Sequence, residues 1–278
     1  MFVYGSGCYL SNPVEAIRPG TIVSFGMYRL PCGHKPYQDG DPEIWMDIDW
    51  IVLDVIPPFS PETRLESSGG HKALMITRDC LDWDFFDYDK ATWEGSSIQH
   101  LMNQYMYEQF YFPEDDRSAI IVSPHEDHQL CCYFNPDYFF LLTLDQVLHY
   151  FPEEKDRRSE MHFADELRLP LPGKSPDSVK WNDPDTFILK NEVSREPSNW
   201  WTCTPYTWEK AKDVLELNDD DEELFSECFG VDEEEDDVIP HMFAIGHQGE
   251  PFIIQADADE IGIRPAVWVD LDKVKIKR

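Results

Sequence analysis

The hydrophobic positions change period several times between residues 20 and 271, and each change predicts an element. GTIVSFGMYRL (20–30) alternates apolar and polar residues, the mark of a strand with one buried face, and Gly20 starts it. DIDWIVLDVIPP (47–58) is a β-branched strand stopped by Pro57 and Pro58. HKALMITRDCL (71–81) is a third strand, so the second and third form a hairpin with a long SPETRLESSGG connection. DWDFFDYDK brings Asp82, Asp84, Asp87 and Asp89 together without the calcium-loop pattern, and reads as a solvated loop with two buried Phe.

The period then becomes helical. Ile98, Leu101, Met102 and Tyr105 form one stripe of a helix over roughly 97–110, capped by Ser96 or Ser97. Residues 114–121 suggest a short turn leading into IIVS. In FFLLTLDQVLHYF, Thr143 and Gln146 are spaced as a capping box, with Val147 and Tyr150 facing inward. Residues 152–199 are Pro-rich and poorly periodic, and read as loop with a short helix near HFADELR. TWEKAKDVLEL is a further helix. From His241 to Leu271, strands are separated by Gly turns. Strands and a few helices without βαβ alternation predict a single α+β domain, with its core at about 20–212 and 238–271.

Composition adds a partner class. Net charge is −32, which disfavours direct nucleic-acid or membrane binding and favours a basic partner. Residues 213–237 hold fourteen acidic side chains and no Lys or Arg, the pattern of an exposed insert. The expected binding residues there are Asp219, Asp220, Asp221, Glu222, Glu223, Glu233, Glu234, Glu235, Asp236 and Asp237, helped by the aromatics Trp200 and Trp208. The first twenty residues lack a leader pattern and no run is long enough to span a membrane, so a cytoplasmic protein is expected. The seven cysteines are an odd number without C-x-x-C and read as reduced thiols.

Candidate chemistry is thin. ATWEGSSIQHLMN (91–103) holds Glu94, His100 and Asn103, but they do not share a helical face, and no catalytic motif is present. Glu94 and Asn103 are expected to bond to backbone and fix the helix entry. Trp50, Trp93, Trp201 and Trp268 read as structural, and Arg264 as a buried clamp paired with a carboxylate. Cys131 and Cys132 with His125 or His128 lack zinc spacing, and W-N-D (181–183) with E-P-S-N (196–199) reverses the order of lectin calcium and sugar motifs. No metal, no cofactor and no catalytic residue are expected.

Six segments in order resemble the uncharacterised bacterial domain family DUF6273: GTIVSFGMY, DIDWIVLDV with HKALMITRDCLD, ATWEGSSIQHLMNQYMYEQF, FFLLTLDQVLHYF, NWWTCTP and GIRPAVWVDL. The closing G-x-RPA-x-W strand also resembles the end of C-type-lectin-like domains, which implies a C-type-lectin-like fold. Two arginines usual in the family are replaced, by Gln99 and Cys203, which removes any anion-binding role they carry there. Three functions fit these observations. The first is a non-catalytic recognition module for a basic protein surface, such as that of a nucleic-acid-binding protein. The second is a phage-type inhibitor that mimics nucleic acid, and the third is a hydrolase or modifying enzyme.

Overall fold

The computed structural model describes residues 2–3, 17–30, 45–56, 70–107, 117–123, 137–170, 172, 187–222, 225 and 240–273. The strands are β1 (Phe2–Val3), β2 (Ile22–Arg29), β3 (Trp45–Ile56), β4 (Lys72–Thr77), β5 (Asp82–Trp83), β6 (Ile120–Ile121) and β7 (Phe139–Phe140). They continue as β8 (Ser159–Pro170), β9 (Phe187–Ser198), β10 (Trp200–Pro205), β11 (His241–Ile245), β12 (Pro251–Gln255), β13 (Gly262–Ile263) and β14 (Ala266–Asp270). The helices are α1 (Ser97–His100), α2 (Leu144–Tyr150), α3 (Glu154–Arg157) and α4 (Trp208–Val214). The class is α+β, as predicted.

A curled antiparallel sheet runs β1-β2-β3-β4-β14-β6, with β7 also paired to β14. Its centre is apolar because β4 is buried at all six positions and β14 at four of five. Trp50 stacks on Phe139 with ring centroids 6.3 Å apart, and its indole N–H donates to Phe25 O at 2.7 Å. A bulge between Ser24 and Met27 turns β2, and Gly26 adopts the positive φ of 75° found there. The predicted hairpin is β3–β4, paired antiparallel from Trp50–Thr77 to Ile56–Lys72.

A second, mixed sheet runs β12-β11-β10-β13-β5, in which β10 and β13 are parallel. One core cluster joins the two sheets. The predicted capping box holds α2: Gln146 N donates to Thr143 Oγ1 at 3.2 Å, and Thr143 N donates to Gln146 Oε1 at 2.9 Å. Val147 is buried and Tyr150 half-buried. Ser96 caps α1, accepting from Gln99 N at 3.2 Å. The helix then widens into a π-helical turn at Leu101–Met106, which brings Met106 into the core alongside Ile98 and Met102.

The largest departure lies in 152–199. Loop was expected there, with a helix near His162, but β8 and β9 form an antiparallel ribbon twelve residues long. A two-stranded ribbon satisfies its backbone by mutual pairing, and charged side chains on it obscure the strand period. DWDFFDYDK also departs from the solvated loop: Phe86 and Asp87 are buried, Phe85 only partly so, and Asp82–Trp83 is a strand. No helix among the described residues is long and apolar enough to cross a membrane.

Candidate functional site

The predicted site residues divide sharply. Trp200 is fully buried, so it is not a surface aromatic; its indole N–H donates to Arg157 O at 2.9 Å. The reason is that β10 lies inside its sheet and is covered on both faces, with Trp200 to Cys203 all buried. Trp208 opens α4 half-buried, its ring 5.7 Å from Phe225. Asp219, Asp220 and Asp221 form a short 3-10 turn. Lys212 reaches Asp219, and the Asp221 carboxylate accepts from Asn218 N at 2.8 Å. Glu222 is exposed, while Glu223, Glu233, Glu234, Glu235, Asp236 and Asp237 lie outside the described residues. The Cys131–Cys132 zinc set and W-N-D also lie outside them.

The structural expectations fare better. Trp50, Trp93 and Trp201 are buried, and Trp268 is half-buried. Asn103 bonds to backbone as expected: its Nδ2 donates to Phe139 O at 2.9 Å, and its Oδ1 accepts from Tyr138 N and Phe139 N. Glu94 does not; it is exposed and has no hydrogen-bond partner among the described residues. Gln99 holds the helix entry instead, accepting from Gly95 N at 2.7 Å and donating to Asp137 at 2.9 Å. Arg264 is buried, but its Nε donates to Thr77 O at 2.6 Å and its guanidinium lies 4.9 Å from the Trp200 ring and 5.3 Å from the Phe151 ring. Carbonyl and aromatic faces are its direct contacts, and the Asp79 carboxylate attracts it from beyond ion-pair range. Burial lowers its pKa to about 10, which leaves it charged at neutral pH.

A cleft among the described residues lies elsewhere, where β5, β8 and the end of β9 meet. Pairing builds it: Trp83 lies opposite Gly262, Met161 opposite Glu196, and Cys80 bridges Met161. Gly262 N donates to Asn199 O at 2.8 Å, and His247 N donates to Asn199 Oδ1 at 2.8 Å. Gly262 admits no side chain, because a Cβ would sit 2.5 Å from Cys80 Sγ. Trp83 and Phe163 meet with ring centroids 5.4 Å apart. Glu196, His247 and Glu260 are exposed along the lining, and Glu260 is held at a positive φ of 63°.

The cleft has a volume of about 210 Å³ and neither Lys nor Arg lines it. That is smaller than the roughly 300 Å³ at which drug-sized ligand pockets begin, so it suits a side chain or a small cation. Aromatic faces and carboxylates together attract a cation. Covalent chemistry through the neighbouring Cys80 thiol is disfavoured, since burial pushes it up to about 11. None of the cleft residues was among the predicted binding set. The one signal is E-P-S-N, which supplies Glu196 to Asn199 but resembles a sugar motif.

No family model, no curated protein and no solved structure matches the chain.

Proposed function

We propose that this protein is a non-catalytic, cytoplasmic recognition module of the DUF6273 kind that binds a basic protein surface. The observation that carries the reading is the cleft: an aromatic pair, Trp83 and Phe163, beside the carboxylates of Glu196 and Glu260. A Lys or Arg side chain of the partner enters it and gains cation–π and ionic attraction together. The net charge of −32 speeds the approach of a basic surface.

Fluorescence anisotropy with lysine-rich and arginine-rich peptides tests this. Binding is expected to weaken steeply between about 0.1 and about 1 M salt, as screening shortens the reach of exposed charges. Glu260→Lys places a like charge at the cleft and weakens binding by about tenfold or more. Affinity unchanged near 1 M salt, or unchanged in Glu260→Lys, rejects the cleft as the docking point.

A further inference from the structure

β8 presents two different faces to the molecule. Met161 and Phe163 line the cleft, whereas Glu160 and His162, two residues apart, share the other face by strand alternation. On that face they meet Asp79, which follows β4. The backbone around Asp79 is fixed on both sides: Arg78 N donates to Asp49 O at 2.8 Å and Cys80 N donates to Glu160 O at 2.9 Å.

His162 is only 4% exposed, and neither Nδ1 nor Nε2 has a hydrogen-bond partner among the described residues. Its Nε2 lies 3.5 Å from Asp79 Oδ2, within ionic range but without hydrogen-bond geometry. One ligand atom from each of Asp79, Glu160 and His162 lies within 4.8 Å of the others. The site therefore stands on geometry: a buried imidazole with both ring nitrogens unpartnered, beside two carboxylates. A buried polar group left without a partner costs about 1–3 kcal/mol, and a fold rarely retains one without a use for it.

Two nearby cations have direct contacts outside the cluster, Arg78 at 4.0 Å from Asp49 and Arg264 donating to Thr77 O, though both still attract the Asp79 carboxylate; the third, Arg195, lies 3.9 Å from Glu160 itself. The Arg195–Glu160 contact is exposed and weak, so Glu160 is available to a stronger charge.

We infer that Asp79, Glu160 and His162 form a binding site for a divalent transition-metal ion of the zinc or manganese type. One imidazole nitrogen and two carboxylates suit such ions better than calcium, which prefers oxygen alone. With metal–ligand bonds near 2.1 Å, a tetrahedral edge is roughly 3.4 Å. The separation of 3.5 Å between His162 Nε2 and Asp79 Oδ2 matches it. Three protein ligands leave one coordination position open to a partner's side chain or to a small ligand.

The test uses the full chain, treated with EDTA and titrated with Co²⁺ as a spectroscopic probe for Zn²⁺. One equivalent of Co²⁺ is expected to give a visible d–d band without a thiolate charge-transfer band, and Zn²⁺ should abolish it. Glu160→Gln is a surface change that leaves the fold intact and should weaken binding by about tenfold or more; Asp79→Asn should weaken it further. Circular dichroism of each variant establishes that it is folded. Absence of the band, a thiolate band, or equal affinity in Glu160→Gln and the parent overturns the site. Glu260→Lys should leave Co²⁺ binding unchanged, so failure of the cleft and failure of the metal site are told apart.

Discussion

Two buried polar clusters in this protein contrast sharply. Around Asp137 every donor is matched: the carboxylate accepts from Trp93 Nε1 at 2.9 Å, Gln99 Nε2 at 2.9 Å and Asn103 Nδ2 at 3.3 Å. Around His162 the ring nitrogens are unmatched, and the nearest carboxylate stands off at 3.5 Å. Burial is similar, with Asp137 at 8% and His162 at 4% exposure. The difference is completeness. A closed network fastens α1 to β7 and leaves nothing for a ligand, whereas an open one retains binding capacity inside the fold.

The largest expected effect breaks the closed cluster. Asp137→Ala strips the buried Trp93 and Gln99 donors, and the half-buried Asn103 amide, of their shared acceptor, and the loss should reach about 3 kcal/mol or more. The urea midpoint checks it, with the slope unchanged. Next comes a carboxyl on β5. Burial pushes Asp82 up to about 6 from an ordinary 3.8, so the folded chain holds a proton there that the unfolded chain has released. Between about pH 4 and 6 this site makes stability fall as pH rises, and above 6 the penalty is complete. Asp82→Asn should therefore stabilise by about 2–3 kcal/mol at pH 7, with the gain vanishing below about pH 4. Parallel melts at pH 4 and pH 7 read the difference, and an equal gain at both sinks the assignment.

Smaller effects sharpen the contrast. Ser96→Ala removes the cap of α1 and should cost about 1 kcal/mol in the same denaturation assay, while Glu94→Ala, two residues away and exposed, should change stability by less than about 0.5 kcal/mol. His162→Leu deletes polar atoms that have no protein partner, so metal-free stability should stay within about 1 kcal/mol of the parent. A loss above about 3 kcal/mol would mean that His162 is structural.

Several elements were legible because their signals are local. The Thr143–Gln146 box, the Ser96 cap and the β3–β4 hairpin depend on neighbours in sequence and appear where predicted. Asn103 was read correctly as a backbone-bonding residue, but its companion was not, because Gln99 rather than Glu94 faces Asp137. The π-helical turn at Leu101–Met106 has no counterpart in the 3.6-residue period. Trp200 and Trp201 are adjacent, and Trp200 was expected to be a binding aromatic and Trp201 a structural one; covering of both faces of β10 buried the pair.

Sequence alone determined the α+β class, the charge of −32 and the capped helix starts, because composition and near-neighbour spacing settle them. Tertiary structure decided the sites. Glu160 and His162 looked like loop and helix, and only pairing with β9 put them on one strand face opposite Asp79. Trp83 and Phe163 are far apart in sequence, and they meet because Cys80 bridges Met161 while Trp83 pairs with Gly262. Arg264 took carbonyl and ring faces as its direct contacts, with Asp79 attracting it only at longer range, because those groups lie around it in the packed core. Such contacts join segments that share no local pattern, so they exist only after the chain has closed on itself.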